Sequence, residues 1–97
     1  MSAYMIAICE ITNPGEGLKT YSQKSAELSA KHGGKYIVRG PAGQIVEGDQ
    51  MQGKVIIISE FPSMDNLNAF YNDPEYQEAK KHREGTGNYE IAFIEGL

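Results

Sequence analysis

The amino-acid sequence predicts an α+β domain in which a four-stranded antiparallel sheet carries two helices on one face. Strand-like and helix-like segments follow one another in the order β-α-β-β-α-β. The length of 97 residues is about that of one small domain, so residues 1–97 are expected to form a single unit. The apolar content of 40% and the charged content of 23% are those of a globular protein.

An apolar run followed by a periodic segment indicates the first strand and the first helix. Residues Tyr4–Ile11 are almost continuously apolar, as is typical of a strand that is buried on both faces. Asn13 is a suitable N-cap and Pro14 a suitable first helical residue, and a double glycine ends the segment. A helix is therefore predicted over Pro14–His32. Its inward-facing stripe consists of Leu18, Tyr21, Ser25 and Leu28.

The next two strands are predicted on either side of a long connection. Lys35–Arg39 contains β-branched and aromatic residues that favour a short strand. Gly40–Gly53 is punctuated by glycine and is interpreted as a partly extended excursion. Lys54–Phe61 contains the most hydrophobic stretch of the chain, so it is predicted to be a central strand.

Two helix-start signals divide the second helical segment. Ser63 follows a proline and is a favourable N-cap. Asp73 and Pro74 repeat the pattern of a cap followed by proline, so the helix is predicted to break near Asp73 and to resume as far as Arg83. Tyr89–Glu95 then supplies the last strand.

This order of elements favours a ferredoxin-like βαββαβ sandwich with the first and third strands in the centre of the sheet. The two helices can cover only one face of that sheet. Tyr4–Cys9 and Val55–Ile58, however, are apolar at both odd and even positions. A second copy of the chain would cover the remaining face, so we expect a homodimer that forms an α/β barrel.

Charge and cysteine content disfavour several classes of partner. The net charge of −4 repels a phosphate backbone, so no nucleic acid is expected. Cys9 is the only cysteine and cannot form an intramolecular disulfide, which favours a cytoplasmic location. The N-terminus has no basic segment before an apolar stretch that is too short to span a bilayer, so no membrane association is expected.

Known ligand-binding motifs are incomplete. Gly48–Val55 resembles a phosphate-binding loop, but Val55 replaces the required Ser or Thr, and a strand follows in place of a helix. His32 and His82 have no partner at metal-ligand spacing, and we expect no metal or other cofactor. The basic run Lys80–Arg83 is interpreted as cations that complement a helix C-terminus.

A set of polar residues at strand and helix ends suggests a site. Glu10 and Glu60 each lie near the C-terminal end of a central strand, and they would meet at one edge if those strands were parallel. The candidate ligand-binding residues are Arg39, Glu47, Glu60, Tyr71 and Tyr76. One interpretation is a pocket that binds or transforms a small organic molecule. The alternative is a non-catalytic dimeric interaction module in which these groups form surface or interface ion pairs.

Five segments resemble the family called domain of unknown function 1330. They are Gly33–Gly40, Val46–Gly48, Ile58–Ser63, Phe70–Tyr76 and Ile94–Gly96. The resemblance covers nearly the whole chain, and the five candidate residues lie in these segments. It implies a ferredoxin-like subunit of the dimeric α/β-barrel superfamily, which includes cofactor-free monooxygenases, muconolactone isomerases and haem-degrading enzymes. Phe70 stands where many relatives have tryptophan, which argues against haem-degrading chemistry.

Overall fold

Strands and helices follow one another in the predicted order in the computed structural model, which describes all 97 residues. Their bounds are β1 Ala3–Ile11, α1 Glu16–Lys31, β2 Lys35–Pro41, β3 Val55–Phe61, α2 Met64–Asn72, α3 Pro74–Lys80, a 3-10 turn Lys81–Arg83 and β4 Gly87–Glu95. The sheet is antiparallel throughout, with the order β2-β3-β1-β4. The predicted α+β ferredoxin-like fold is confirmed. None of the helices combines the length and hydropathy needed to cross a membrane.

The hydrophobic core lies between the sheet and the helices. Residues at odd-numbered positions of β1, from Ala3 to Cys9, are buried on this face because side chains alternate along a strand. The largest side chains without exposure are Phe61 of β3, Leu67 and Phe70 of α2, and Tyr76 of α3. The rings of Phe70 and Tyr76 are 4.6 Å apart between centroids, so the aromatic cluster joins α2 and α3 to the sheet.

The opposite face of the sheet, called the open face below, carries no helix. It consists of the even-numbered residues of β1 and their cross-strand partners. Its apolar members are Tyr4, Ile6, Ile8, Val38, Ile56, Ile58, Ala92 and Ile94. Val38 and Ile94 on the outer strands are 44% and 49% exposed. The second apolar face that the sequence indicates is therefore present and uncovered in a single chain.

The structure separates the two glutamates that the sequence placed at one edge. Because β1 and β3 are antiparallel, Glu60 pairs with Tyr4 at the beginning of β1, whereas Glu10 pairs with Asn88 at its end. Glu10 accepts a hydrogen bond of 2.8 Å from the Asn88 amide. The expectation that Glu10 and Glu60 meet is wrong, since it required parallel strands.

The start of α1 also differs from the prediction. Gly15 occupies the N-cap position with an extended backbone and no side-chain hydrogen bond, and the helix begins at Glu16. The backbone N–H groups of Thr12 and Asn13 both donate to the carbonyl oxygen of Thr86, at 2.9 and 3.0 Å. This contact holds Asn13 against the loop before β4, so Asn13 does not cap α1.

The second helical segment is interrupted at Asp73, as predicted, and each half has its expected cap. Ser63 Oγ accepts a hydrogen bond of 3.1 Å from the backbone N–H of Asn66, which caps α2. Asp73 Oδ1 accepts one of 2.9 Å from the backbone N–H of Glu75, which caps α3. Both caps satisfy N–H groups that have no partner within the helix.

Asp73 also ties the end of α1 to the junction between α2 and α3. Its Oδ2 accepts hydrogen bonds from His32 Nε2 at 2.9 Å and from Lys31 Nζ at 3.2 Å. The bond from His32, followed by the cap bond from Glu75, lowers the pKa of Asp73 to about 2. The carboxylate is thus favoured in its charged form because all of its partners are donors.

We expect Asp73→Ala to lower the melting temperature at neutral pH by at least about 4 °C, the usual effect of losing one helix cap in a domain of this size. Thermal unfolding followed by circular dichroism measures the change. Asp65→Ala is the matched control, because Asp65 is an exposed acidic residue in the first turn of α2 that makes no side-chain hydrogen bond. A melting temperature equal to that of the control would contradict the role of Asp73.

The same difference between wild type and Asp73→Ala should depend on pH. The folded-state pKa of Asp73, about 2, lies below its ordinary value of 3.8, so the charged group stabilises the fold fully above pH 4. Its contribution is lost as pH falls from about 4 towards about 2, and the two melting temperatures should then converge.

Candidate functional site

A largely apolar cavity of about 130 Å³ lies between α1 and the sheet. Eleven of its 15 lining residues are hydrophobic. Its sheet wall includes Ala7, Cys9, Val55, Ile57 and Ile91, and its helix wall includes Leu18, Tyr21, Ser22 and Ser25. Cavities of roughly 150 Å³ with apolar walls can hold benzene, so this space has the size of a one-ring organic molecule.

Small side chains on both walls create the space. Leu18, Tyr21 and Ser25 follow one another at helical spacing, so they share the face of α1 that is turned to the sheet. Ser25 is buried, and Ala7 and Cys9 are buried on the sheet side. Because these three side chains are short, they do not fill the space between α1 and the sheet at this position. Elsewhere in the core, the aromatic cluster fills the corresponding space.

Two arginines and no acidic residue line the cavity. The guanidinium carbon of Arg39 lies 5.1 Å from the centroid of the Tyr36 ring. Arg83 lies between two rings, 5.1 Å from the centroid of Tyr21 and 4.9 Å from that of Tyr89. The ion pairs of the protein involve other residues, and neither arginine has a carboxylate partner. The cavity is therefore electropositive although the chain has a net charge of −4.

A hydrogen-bond network links one end of the cavity to the core. Tyr21 Oη lies 2.8 Å from Tyr76 Oη and accepts a hydrogen bond of 3.2 Å from Arg83 Nη1. Tyr76 has no solvent exposure, and this burial raises its pKa above the ordinary value. Tyr76 thus fixes the position of Tyr21, which lines the cavity.

The position of Arg83 depends on a close approach of α1 to the 3-10 turn. A Cβ atom at Gly17 would overlap the carbonyl oxygen of His82, so only glycine allows this contact. Thr86 donates two hydrogen bonds to the carbonyl oxygen of Arg83, from its backbone N–H at 3.1 Å and from its hydroxyl. These contacts fix the backbone of the turn at Arg83, whose side chain donates a hydrogen bond to Tyr21.

The structure brings two of the five sequence-predicted residues to this region. Arg39 lines the cavity, with its side chain at the solvent-exposed edge of β2. Tyr76 does not line it but contacts Tyr21 through its hydroxyl group. Of the predicted set, these two can influence a molecule in the cavity.

The other three predicted residues lie elsewhere. Glu47 is exposed in the loop between β2 and β3. Glu60 is on the open face, where it accepts a hydrogen bond of 3.0 Å from Tyr4 and lies 3.5 Å from Lys35 Nζ. The bond from Tyr4 lowers the pKa of Glu60. Tyr71 packs against the edge of the aromatic cluster, and its hydroxyl accepts a hydrogen bond from Lys80.

Several cavity residues were not selected from the sequence. They are Tyr21, Tyr36, Arg83 and Tyr89, together with Cys9, which was interpreted as a packing residue. A signal existed for Tyr21 and Ser25, because polar groups on the inward stripe of a helix need a partner or a ligand. Arg83 belonged to a basic run that was assigned to the helix dipole, and its sequence context does not distinguish it from its neighbours.

No group of three or more His, Cys, Asp or Glu side chains is placed to hold a metal ion. The charged groups available to a ligand in the cavity are the two arginines, which bind oxygen anions rather than cations. The arrangement can therefore enclose a small apolar body and bind an acceptor group at its polar end.

The family model of a domain of unknown function, DUF1330, matches residues 2–97 of the chain. Comparison with curated proteins gives no significant match. Among solved structures, a protein of unknown function from Rhodopseudomonas palustris is similar, with a TM-score of 0.78 and 21% identity over 99% of this chain and 82% of that one.

Two further solved structures share the fold at lower identity. A cofactor-independent oxygenase from Streptomyces nogalater, SnoaB, has a TM-score of 0.68 and 7% identity over 99% of this chain and 93% of that one. A dimeric ferredoxin-like protein of unknown function from Jannaschia has a TM-score of 0.66 and 13% identity over 99% and 100% of the two chains. At these identities the likeness establishes the fold alone.

Cys9 should react slowly with the bulky thiol reagent DTNB in the native protein. Its side chain is buried, and this burial raises the pKa of the thiol, so little reactive thiolate is exposed. The matched control is Val46→Cys in a Cys9→Ala background, since Val46 is 80% exposed. Native labelling as fast as in that control would contradict a packing position for Cys9.

Proposed function

The chain belongs to the DUF1330 family, and we propose that it is a homodimeric protein that binds a small organic molecule in the cavity beneath α1. The observation that carries the proposal is the combination of an apolar space of about 130 Å³ with two unpaired arginines at its margin. A cavity that served packing alone would not require Arg83, a half-buried cation without a carboxylate partner, because removing a charge from water is costly. The proposal covers binding and assigns no reaction.

The size of the cavity limits the ligand. Binding sites for drug-sized molecules usually enclose about 300–1,000 Å³, so this space accommodates a single ring or a short branched chain. Its walls contribute mainly hydrocarbon and aromatic surface, which favours an apolar body through the removal of that surface from water.

The dimer in the proposal rests on the open face. Ile6 and Ile58 pair at its centre, and Val38 and Ile94 extend the apolar surface to the outer strands. A second copy would cover this surface with an equal one by a two-fold rotation, as in stacked sheets. The Jannaschia protein of the same fold is dimeric, which supports a dimer for this chain.

The position of Glu60 on the open face favours a role in dimer assembly for this residue of the predicted site. With Tyr4 and Lys35 it forms a polar cluster on the edge of the open face, on the side of the sheet opposite to the cavity. This cluster supports the alternative of a non-catalytic interaction module for Glu60, while Arg39 remains with the cavity. The two proposed roles thus occupy opposite faces of one sheet.

Ile58→Glu should convert the dimer to a monomer. Ile58 lies between Ile6 and Val38 at the centre of the open face, and a charge there would face its own copy across the interface. Light scattering should give twice the chain mass of 10.7 kDa for the wild type and 10.7 kDa for the variant. The matched control, Val46→Glu in the exposed loop, should remain dimeric. A monodisperse wild-type monomer at micromolar concentration would refute the dimer.

Ser25→Leu should fill the cavity and weaken the binding of toluene, a one-ring probe, by about tenfold or more, since the two compete for the same space. NMR titration of the backbone amides measures the dissociation constant. Ala30→Leu introduces the same side chain on the exposed side of α1 and should leave binding unchanged. The proposed site is wrong if wild-type protein binds toluene without shifts at cavity residues, or if Ser25→Leu binds it equally well.

A further inference from the structure

The hydroxyl protons of the Tyr21–Tyr76 pair can be assigned from their surroundings. Tyr76 Oη is buried, and its one hydrogen-bond partner is Tyr21 Oη. A buried O–H without an acceptor is costly, so Tyr76 donates to Tyr21. Arg83 Nη1 also donates to Tyr21 Oη. The oxygen of Tyr21 therefore accepts two hydrogen bonds, and its own proton has no acceptor within the protein.

The hydroxyl group of Tyr89, on the other side of Arg83, is in the opposite situation. Thr86 uses its single hydroxyl proton to donate to the carbonyl oxygen of Arg83. Tyr89 Oη, which contacts Thr86 Oγ1, must then be the donor in that bond. The proton of Tyr89 is thus already used, whereas that of Tyr21 is free to point into the cavity that Tyr21 lines.

Arg83 adds a positive charge and further donors at the same place. A guanidinium group has five N–H donors, and one hydrogen bond, to Tyr21, is made within the protein. The nearby rings of Tyr21 and Tyr89 partly compensate for the guanidinium's loss of hydration, but they accept no strong hydrogen bond. No carboxylate lines the cavity to neutralise it.

We propose that the ligand carries a negatively charged oxygen, such as a carboxylate or an enolate, which accepts hydrogen bonds from Tyr21 Oη and the Arg83 guanidinium at one end of the cavity. This inference rests on the proposed function, since it assigns the chemical class of the molecule in the cavity. Tyr76 is a positioning residue that orients the Tyr21 hydroxyl. Arg39 acts from the exposed edge and contributes attraction for the anion without a fixed geometry.

Other ligand classes satisfy this end of the cavity less well. A hydrocarbon would displace water from the Arg83 guanidinium and the Tyr21 hydroxyl without providing an acceptor. Both donors would then lack a hydrogen-bond partner. A cation would meet two arginines and no acid. An anion on an apolar body pairs with the donors and fills the apolar walls.

The test compares three one-ring probes, namely benzoate, toluene and benzylammonium, by NMR titration of the wild-type protein at neutral pH. Benzoate should bind at least about tenfold more tightly than toluene, because hydrogen bonds to a charged group are stronger than neutral ones. Benzylammonium should bind more weakly than toluene. All three probes have similar rings, so the difference reports the polar group.

Substitutions then locate the interaction. Arg83→Met should weaken benzoate binding about tenfold or more, and Tyr21→Phe about three- to tenfold. Toluene should bind each variant at least as tightly as it binds the wild type, because each substitution removes a donor that toluene leaves unsatisfied, and this shows that the cavity is intact. Arg83→Lys should give an intermediate value, since it keeps the charge without the planar fork. Lys81→Met and Tyr71→Phe are the matched controls. They remove an exposed cation of the same turn and a phenol hydroxyl outside the cavity.

The outcomes distinguish this inference from the proposed function. If neither toluene nor benzoate binds, the proposed function fails and this inference fails with it. If toluene binds as tightly as benzoate, or if Arg83→Met binds benzoate like the wild type, the anion assignment is overturned while the cavity remains a binding site. If Tyr21→Phe binds benzoate normally and Tyr76→Phe binds it more tightly, Tyr21 donates to Tyr76 and is not a ligand donor.

Discussion

The alternation of side-chain size along β1 is the constraint on which the rest of the structure depends. Its buried helix-facing residues are Ala3, Met5, Ala7 and Cys9, of which only Met5 is large, whereas its apolar open-face residues are Tyr4 and two isoleucines. Small side chains beneath α1 leave space that the helix does not fill, and large ones on the other side create an apolar surface that the chain does not cover. One strand thus accounts for both the cavity and the proposed dimer contact, because its two faces differ in volume.

The polar end of the cavity is a compromise between stability and availability. A half-buried arginine without a carboxylate is costly to keep in a folded protein. Arg83 offsets part of that cost through two aromatic rings and one hydrogen bond to Tyr21. A carboxylate partner would stabilise it further but would also occupy the donors. The absence of acidic side chains from the lining therefore keeps this group available at some cost in stability.

Periodicity, caps and turn residues were sufficient to predict the elements, including the break at Asp73, because these signals are local. The prediction that Glu10 and Glu60 lie at one edge was wrong, because it depended on the relative direction of two strands, which side-chain patterns do not specify. The cavity could not be predicted, since it arises from the volumes of residues distant in sequence. The position of Arg83 depends on the close approach of Gly17 to the His82 carbonyl and on the hydrogen bond from Thr86. These are tertiary contacts, so the sequence pattern could not predict this position either.

Two sets of hydrogen bonds, called ties here, join α1 to the segment formed by α3 and the 3-10 turn, on the helix side of the cavity. At one end, Asp73 caps α3 and accepts hydrogen bonds from Lys31 and His32 at the C-terminus of α1. At the other, Tyr21 of α1 meets Tyr76 of α3 and Arg83 of the turn that follows. The first tie is remote from the cavity and can serve stability alone, whereas the second uses side chains that also line it or support its lining. Asp73 contacts neither Tyr21 nor Arg83, so the two ties join the same pair of helices at separate places and only one of them takes part in the cavity.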